Sequence, residues 1–127
     1  MTGPRRVVKV AMRGKRGTRP GPVMLAKGDR TMTDYIPAIA TREIEDERVI
    51  ATRWTFPPGS ATGWHKHGFD YLVVPTIGGM LTIQDSQGRL HDYEIQTGKP
   101  YQRGLGTEHD VINRSDRVVE FVEIEFK

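Results

Sequence analysis

From residue 48 onward the sequence is a series of short β-branched and aromatic runs, each cut off by glycine or proline, and that rhythm limits the chain to a small set of folds. "RVIATRWTF" (48–56) stops at Pro57-Pro58-Gly59, "YLVVPTI" (71–77) at Gly78-Gly79, and "MLTIQD" (80–85) at Ser86-Gln87-Gly88. "RLHDYEI" (89–95) then closes at Thr97-Gly98, and "RVVEFVEIEF" (117–126) ends the chain but for Lys127. Runs of this length and composition between turn residues predict strands. No segment carries a helical stripe: "TREIEDERVI" is too charged, and its two isoleucines lie six apart. Short strands at near-regular spacing predict an antiparallel sandwich or barrel in which alternating Val, Ile and Leu form the core. In the last run Val122, Ile124 and Phe126 share one face and Glu123 and Glu125 the other, with a bulge near Glu120 where the alternation breaks.

The 127 residues suffice for one domain. Cysteine is absent, which excludes disulfides, thiolate metal sites and cysteine nucleophiles. Charge divides the chain in two. Residues 1–31 hold nine Lys/Arg against Asp29 alone, whereas residues 33–127 are acidic on balance, although the whole chain is +3. The first part mixes Gly, Pro and Arg without an apolar period, so residues 1–31 are expected to be a disordered basic arm and residues 33–127 the folded barrel. A plainer expectation for the arm is that translation starts at Met32. Such an arm can bind phosphates, but no aromatic platform or recognition helix accompanies it, and nucleic-acid binding is not expected. No run is long enough to span a membrane, and Lys9 interrupts the apolar stretch after Arg5-Arg6, so no secretory signal forms. A cytoplasmic protein is expected.

Chemistry concentrates in "GWHKHGFDYLVVP" (63–75). Alternate side chains of a strand share a face, so His65 and His67 point the same way and can converge on one ion. Neutral imidazole suits Fe, Ni, Zn and similar divalent ions. Tyr71 has the same parity and faces inward with them; Asp70 faces outward unless Gly68 introduces a bulge. Trp64 faces away from the pair. His91, in another run, reads as a surface residue.

The spacing around these residues extends the pattern. It runs Gly59, five residues, His65-Lys66-His67, three residues, Tyr71, six residues, Gly78. Later come Gly98, five residues, Gly104-Leu105-Gly106, two residues, His109, three residues and Asn113. The two blocks resemble the paired motifs of the cupin superfamily, and the text around the first is similar to very small cupins associated with β-alanine degradation. Two positions depart from the pattern. Gly104 replaces a proline, one turn residue for another. Tyr71 replaces a glutamate that is usually a metal ligand, and this change affects the chemistry.

The resemblance implies a jelly-roll or conical barrel with a divalent metal held by His65, His67 and His109, Fe favoured and Ni, Mn or Zn compatible. It implies structural roles for Asn113 and the glycines, and a homodimer. With the glutamate gone, three cases stand: a bare three-histidine site, which leads; a site completed by Asp70; and a metal-free, degenerate cupin. Tyr71 is the one inward acid–base candidate in the motifs, and otherwise a half-buried aromatic. The expected function is a metal-dependent enzyme acting on a small molecule, with dioxygenase-type chemistry favoured over isomerase or lyase chemistry. The alternative is a non-catalytic module that binds a small ligand.

Overall fold

A computed structural model describes residues 34–127; the expectations for the basic arm fall outside those residues. All regular structure among the described residues is β. The strands are β1 (Ile36–Pro37), β2 (Ile39–Glu45), β3 (Val49–Phe56), β4 (Ser60–Ala61), β5 (His65–Lys66), β6 (Asp70–Ile77), β7 (Gly79–Gln84), β8 (Leu90–Ile95), β9 (Tyr101–Arg103), β10 (Glu108–Asn113) and β11 (Val119–Phe126). They form two sheets. One has the order β1-β4-β10-β7-β8, with β5 added on β10; the other has the order β2-β3-β11-β6-β9. Every pairing is antiparallel except β1 with β4.

The five runs read as strands are β3, β6, β7, β8 and β11. Their ends fall where the turn residues stand. Asp85, for example, accepts the backbone N–H groups of Gln87 and Arg89, both at 2.9 Å, and so folds the β7–β8 turn. The inner faces of both sheets supply the core: Trp54, Phe56, Tyr71, Val73, Leu81, Ile95, Val111, Val119 and Phe121. Burying a side chain such as Phe56 or Leu81 contributes about 1.5–3 kcal/mol.

The register of β11 corrects one expectation. The bulge lies between Glu120 and Phe121, as the broken alternation predicts. The inward face, however, is the odd one. Val119, Phe121, Glu123 and Glu125 are buried, while Val122 and Ile124 are half-buried and Phe126 is exposed. Aromatic packing decides it: Phe121 meets Phe56 at 5.5 Å between ring centroids, and that contact fixes the parity of the whole strand. The two glutamates follow Phe121 into the barrel.

The charged stretch after Thr41 is not helical. It lies within and just beyond β2, an edge strand exposed along its whole length and bulged between Arg42 and Ile44. Charge and a bulge are ordinary protections for an edge strand, as β2 is among the described residues.

Candidate metal centre

β5 is two residues long, and its pairing with β10 sets the site. His65 lies directly opposite His109, and Lys66 opposite Glu108. The segment after β5 is pinned by the His67 N–H, which donates to Thr107 O at 2.8 Å, and by the Gly106 N–H, which donates to His67 O at 2.9 Å. Gly106 makes that return with φ +93°, a conformation glycine adopts without strain. His65, His67 and His109 therefore meet although more than forty residues separate the first from the last.

Their Nε2 atoms point at one another. The His65–His67 separation is 3.1 Å and the His67–His109 separation 3.3 Å. Bonds of ~2.1 Å to one ion would place nitrogens ~3.0 Å apart at right angles and ~3.4 Å apart in a tetrahedron, so the observed spacing fits a shared cation. The His65 Nδ1–H donates to Gly63 O at 2.9 Å, which leaves its Nε2 as a bare lone pair aimed at its neighbours. Burial lowers the pKa of all three rings. His67 falls to about 2 and His109 to about 3, each helped by the charge of a neighbouring histidine, and His65 falls by burial alone. Three neutral imidazoles with converging lone pairs are the form that coordinates a divalent ion. The residues fit the metal that the motifs imply.

Tyr71 points inward, as its parity predicts, but it stands beside the rings and not among the donors. It stacks on His67 with ring centroids 3.9 Å apart and planes 19° from parallel. Burial, then the nearby Glu123, raise its phenol above the ordinary value, so it remains protonated. Asp70 does not turn in. It is exposed, and its Oδ1 accepts the Leu105 N–H at 2.7 Å, holding the turn before β10. The case of a site completed by Asp70 has no support in this geometry. Trp64 faces outward and donates to Glu108 Oε2 at 2.9 Å. His91 is exposed at the mouth of the cavity and bonded to Asp85 Oδ2 at 2.8 Å. Asn113 is wholly structural: its amide donates to Phe56 O and Arg117 O, both at 2.8 Å, and its Oδ1 accepts from Ser115.

The histidines open onto a cavity of about 250 Å³ walled by Trp54, Val73, Leu81, Val111 and Phe121. Arg103 lies on its rim, with its guanidinium 4.7 Å from the centre of the Tyr101 ring and 5.3 Å from that of Tyr93. Glu123 lines the same cavity, with Oε2 3.9 Å from His67 Nε2. Burial, then the charge of Glu125, push its pKa up to about 8, while a hydrogen bond from Trp54 opposes the rise. The motifs point to neither Arg103 nor Glu123. For Glu123 the sequence is ambiguous: Val119 and Phe121 are apolar and share its parity, but Val122, Ile124 and Phe126 mark the opposite face as strongly.

No protein-family model matches the sequence. The chain is 43% identical over 90 residues to the β-alanine degradation protein BauB of Pseudomonas aeruginosa, an alignment covering 71% of this chain and 94% of that one. It is 46% identical to a cupin domain from Bordetella pertussis Tohama I whose crystal structure superimposes with a TM-score of 0.70 over 73% of this chain and 96% of that one. The chain belongs to the cupin superfamily. An RmlC-like cupin with a double-stranded β-helix fold from Methanocaldococcus jannaschii shares the architecture at 14% identity, with a TM-score of 0.60 over 87% of this chain and 93% of that one. In this cupin the two motif blocks are the two sides of the histidine cluster.

Proposed function

We propose that this cupin is a metal-dependent enzyme that acts on a small anionic molecule, with oxygenation the leading reaction class and isomerase or lyase chemistry the next. The observation that carries the reading is the convergence of three neutral Nε2 atoms at the end of an apolar-walled cavity. A divalent ion held by His65, His67 and His109 would supply Lewis acidity and, were it iron, redox chemistry toward dioxygen.

The chain's own residues serve the rest. Trp54, Val73, Leu81, Val111 and Phe121 keep bulk water from the reacting end, which strengthens every polar contact made there. Arg103, stacked against Tyr93 and Tyr101, is placed to receive a carboxylate at the rim. Tyr71 holds the His67 ring flat against its own and keeps its phenolic proton, so its part is to orient the ring and to donate a hydrogen bond, and it neither releases nor takes up a proton. The name of the P. aeruginosa relative refers to β-alanine degradation, and a substrate drawn from small amino or carboxylic acids fits a cavity of about 250 Å³ with a cation at its mouth. A cytoplasmic homodimer completes the proposal. The homodimer is supported by an apolar strip on the outer side of the second sheet, where Leu72, Val74, Val122 and Ile124 are only half-buried.

A second reading, a module that binds a small ligand without turning it over, draws on one observation: the protonated Tyr71 supplies no base. Elemental analysis of protein purified without added metal, beside the His65→Ala/His67→Ala variant, tests the site. The wild type is expected to hold close to one equivalent of a divalent metal and the variant almost none. Equal contents after iron, manganese, nickel and zinc have been offered would remove the metal reading. Dioxygen uptake with small carboxylates then separates oxygenation from the other reaction classes, and binding without any turnover would favour the module.

A further inference from the structure

His65 is tied down at its outer ring nitrogen, and the tie runs on to Asp110, a residue at an undefined position between His109 and Asn113 of the second motif block. His65 Nδ1 lies 2.9 Å from Gly63 O. A carbonyl oxygen only accepts, so the ring hydrogen sits on Nδ1; a bare nitrogen there would face the carbonyl lone pair to lone pair. Gly63 is gripped in turn from its other end, where its N–H donates to Asp110 Oδ1 at 3.0 Å.

The Thr62 hydroxyl stands at the centre of this corner. Its Oγ1 is 2.9 Å from Gly63 O, 3.3 Å from His65 Nδ1 and 3.5 Å from Asp110 Oδ1, and it accepts the Val111 N–H at 3.1 Å. A hydroxyl has one hydrogen to give, and Gly63 O and Asp110 Oδ1 are both acceptors for it. With either of them taking that hydrogen, none is left for Nδ1 to accept, and the ring keeps its own. Strand pairing brings the parts together. His109 lies opposite His65, and the Thr62 N–H donates to Val111 O at 2.8 Å, so Asp110, which alternates with its two neighbours on β10, turns toward residues 62 and 63.

We infer that Asp110 is a positioning residue of the histidine cluster: acting through Gly63 and Thr62, it fixes the His65 ring as the Nδ1–H tautomer, with Nε2 turned to the other two rings. This rests on the metal reading above. A ring held at its outer nitrogen presents the inner one in a single direction, and the outer partners of metal ligands cost about 10–100-fold in affinity when they are changed.

Nitrogen NMR of the full-length, metal-free protein separates a protonated ring nitrogen from a bare one and needs no cation; His65→Ala assigns the signals. The wild type is expected to carry the His65 hydrogen on Nδ1 alone. In Asp110→Ala and in Thr62→Val a second form with the hydrogen on Nε2 should appear, and Co(II) affinity, followed by calorimetry, should fall about tenfold or more. Thr62→Ser keeps the hydroxyl and should restore both the wild-type shifts and the affinity. Should Asp110→Ala not fold, Asp110→Val, which fills the space without an acceptor, takes its place. A single Nδ1–H tautomer in every folded Asp110 and Thr62→Val variant would overturn the inference, and so would wild-type Co(II) affinity in them. A wild type that takes up no Co(II) would instead remove the metal reading, while the nitrogen shifts still decide whether Asp110 and Thr62 fix the ring.

Discussion

Asp110 follows His109 on β10 and points the other way, toward the loop that carries the first two histidines. Its Oδ1 accepts the Gly63 N–H at 3.0 Å. The Thr62 hydroxyl lies 3.5 Å from that carboxylate and 3.3 Å from His65 Nδ1. Burial outweighs these hydrogen bonds and raises the Asp110 pKa from 3.8 to about 6. The folded state therefore takes up this proton more readily than the unfolded chain does. Stability falls as pH rises from about 4 to about 6, and the full cost is present at neutral pH. Asp110→Asn keeps an acceptor for Gly63 and cannot ionise. In metal-free protein it should gain about 3 kcal/mol over the wild type at pH 8 and nothing near pH 4. Urea unfolding at the two pH values measures this, and an equal gain at both would refute it. At this scale the histidines and the orientation of Tyr71 were legible in the sequence, because spacing and parity determine them. Glu123 was not, because β11 carries apolar residues on both faces and only the Phe121–Phe56 contact selects one. The turn bonded by Asp70 and the rim position of Arg103 depend on chain segments that sequence distance does not relate.

Among the elements, the close approach at the β6–β7 corner bears most on the barrel. Gly78 sits where an added Cβ would lie 2.7 Å from Ile95 O and 2.8 Å from Thr97 N, and both atoms belong to backbone. Its N–H also donates to the Thr97 hydroxyl at 2.8 Å. Gly78→Ala must push apart the end of β8 and the start of β7, at a cost of about 1–3 kcal/mol. Chemical denaturation should show that loss while metal stoichiometry stays unchanged, since the corner is remote from the histidines in the ladder. Five of the seven strands of six or more residues were readable, because each shows a β-former pattern between turn signals; β10 was not, because its run Glu108–Asn113 carries only Val111 and Ile112 as apolar residues. β1, β4, β5 and β9 have two or three residues each; pairing with distant partners creates them, and no local propensity marks them. β2 was missed for another reason. Its charges are an edge strand's protection, and in sequence they resemble a solvated loop.

Among the described residues, one sheet face carries partly exposed apolar side chains. On the outer side of the second sheet Leu72, Val74, Val122 and Ile124 are half-buried, with Ile44 54% and Phe126 45% exposed around them. The proposed homodimer would cover this apolar strip, which borders the Arg53–Glu120 ion pair. Sedimentation equilibrium should give twice the chain mass, and Ile124→Glu should halve it while leaving metal content intact; a wild type that sediments as a monomer would rule the pairing out.

One further consequence lies in the two-rung ladder that sets His65 against His109. Neighbouring side chains on a strand point in opposite directions, so sliding β5 by a single residue would bring Lys66 into the hollow and turn both imidazoles out to solvent. If the three histidines hold a cation as proposed, its uptake would gauge strand alignment, sensitive to one step along the backbone, and a preparation could keep its full β content while losing this capacity altogether.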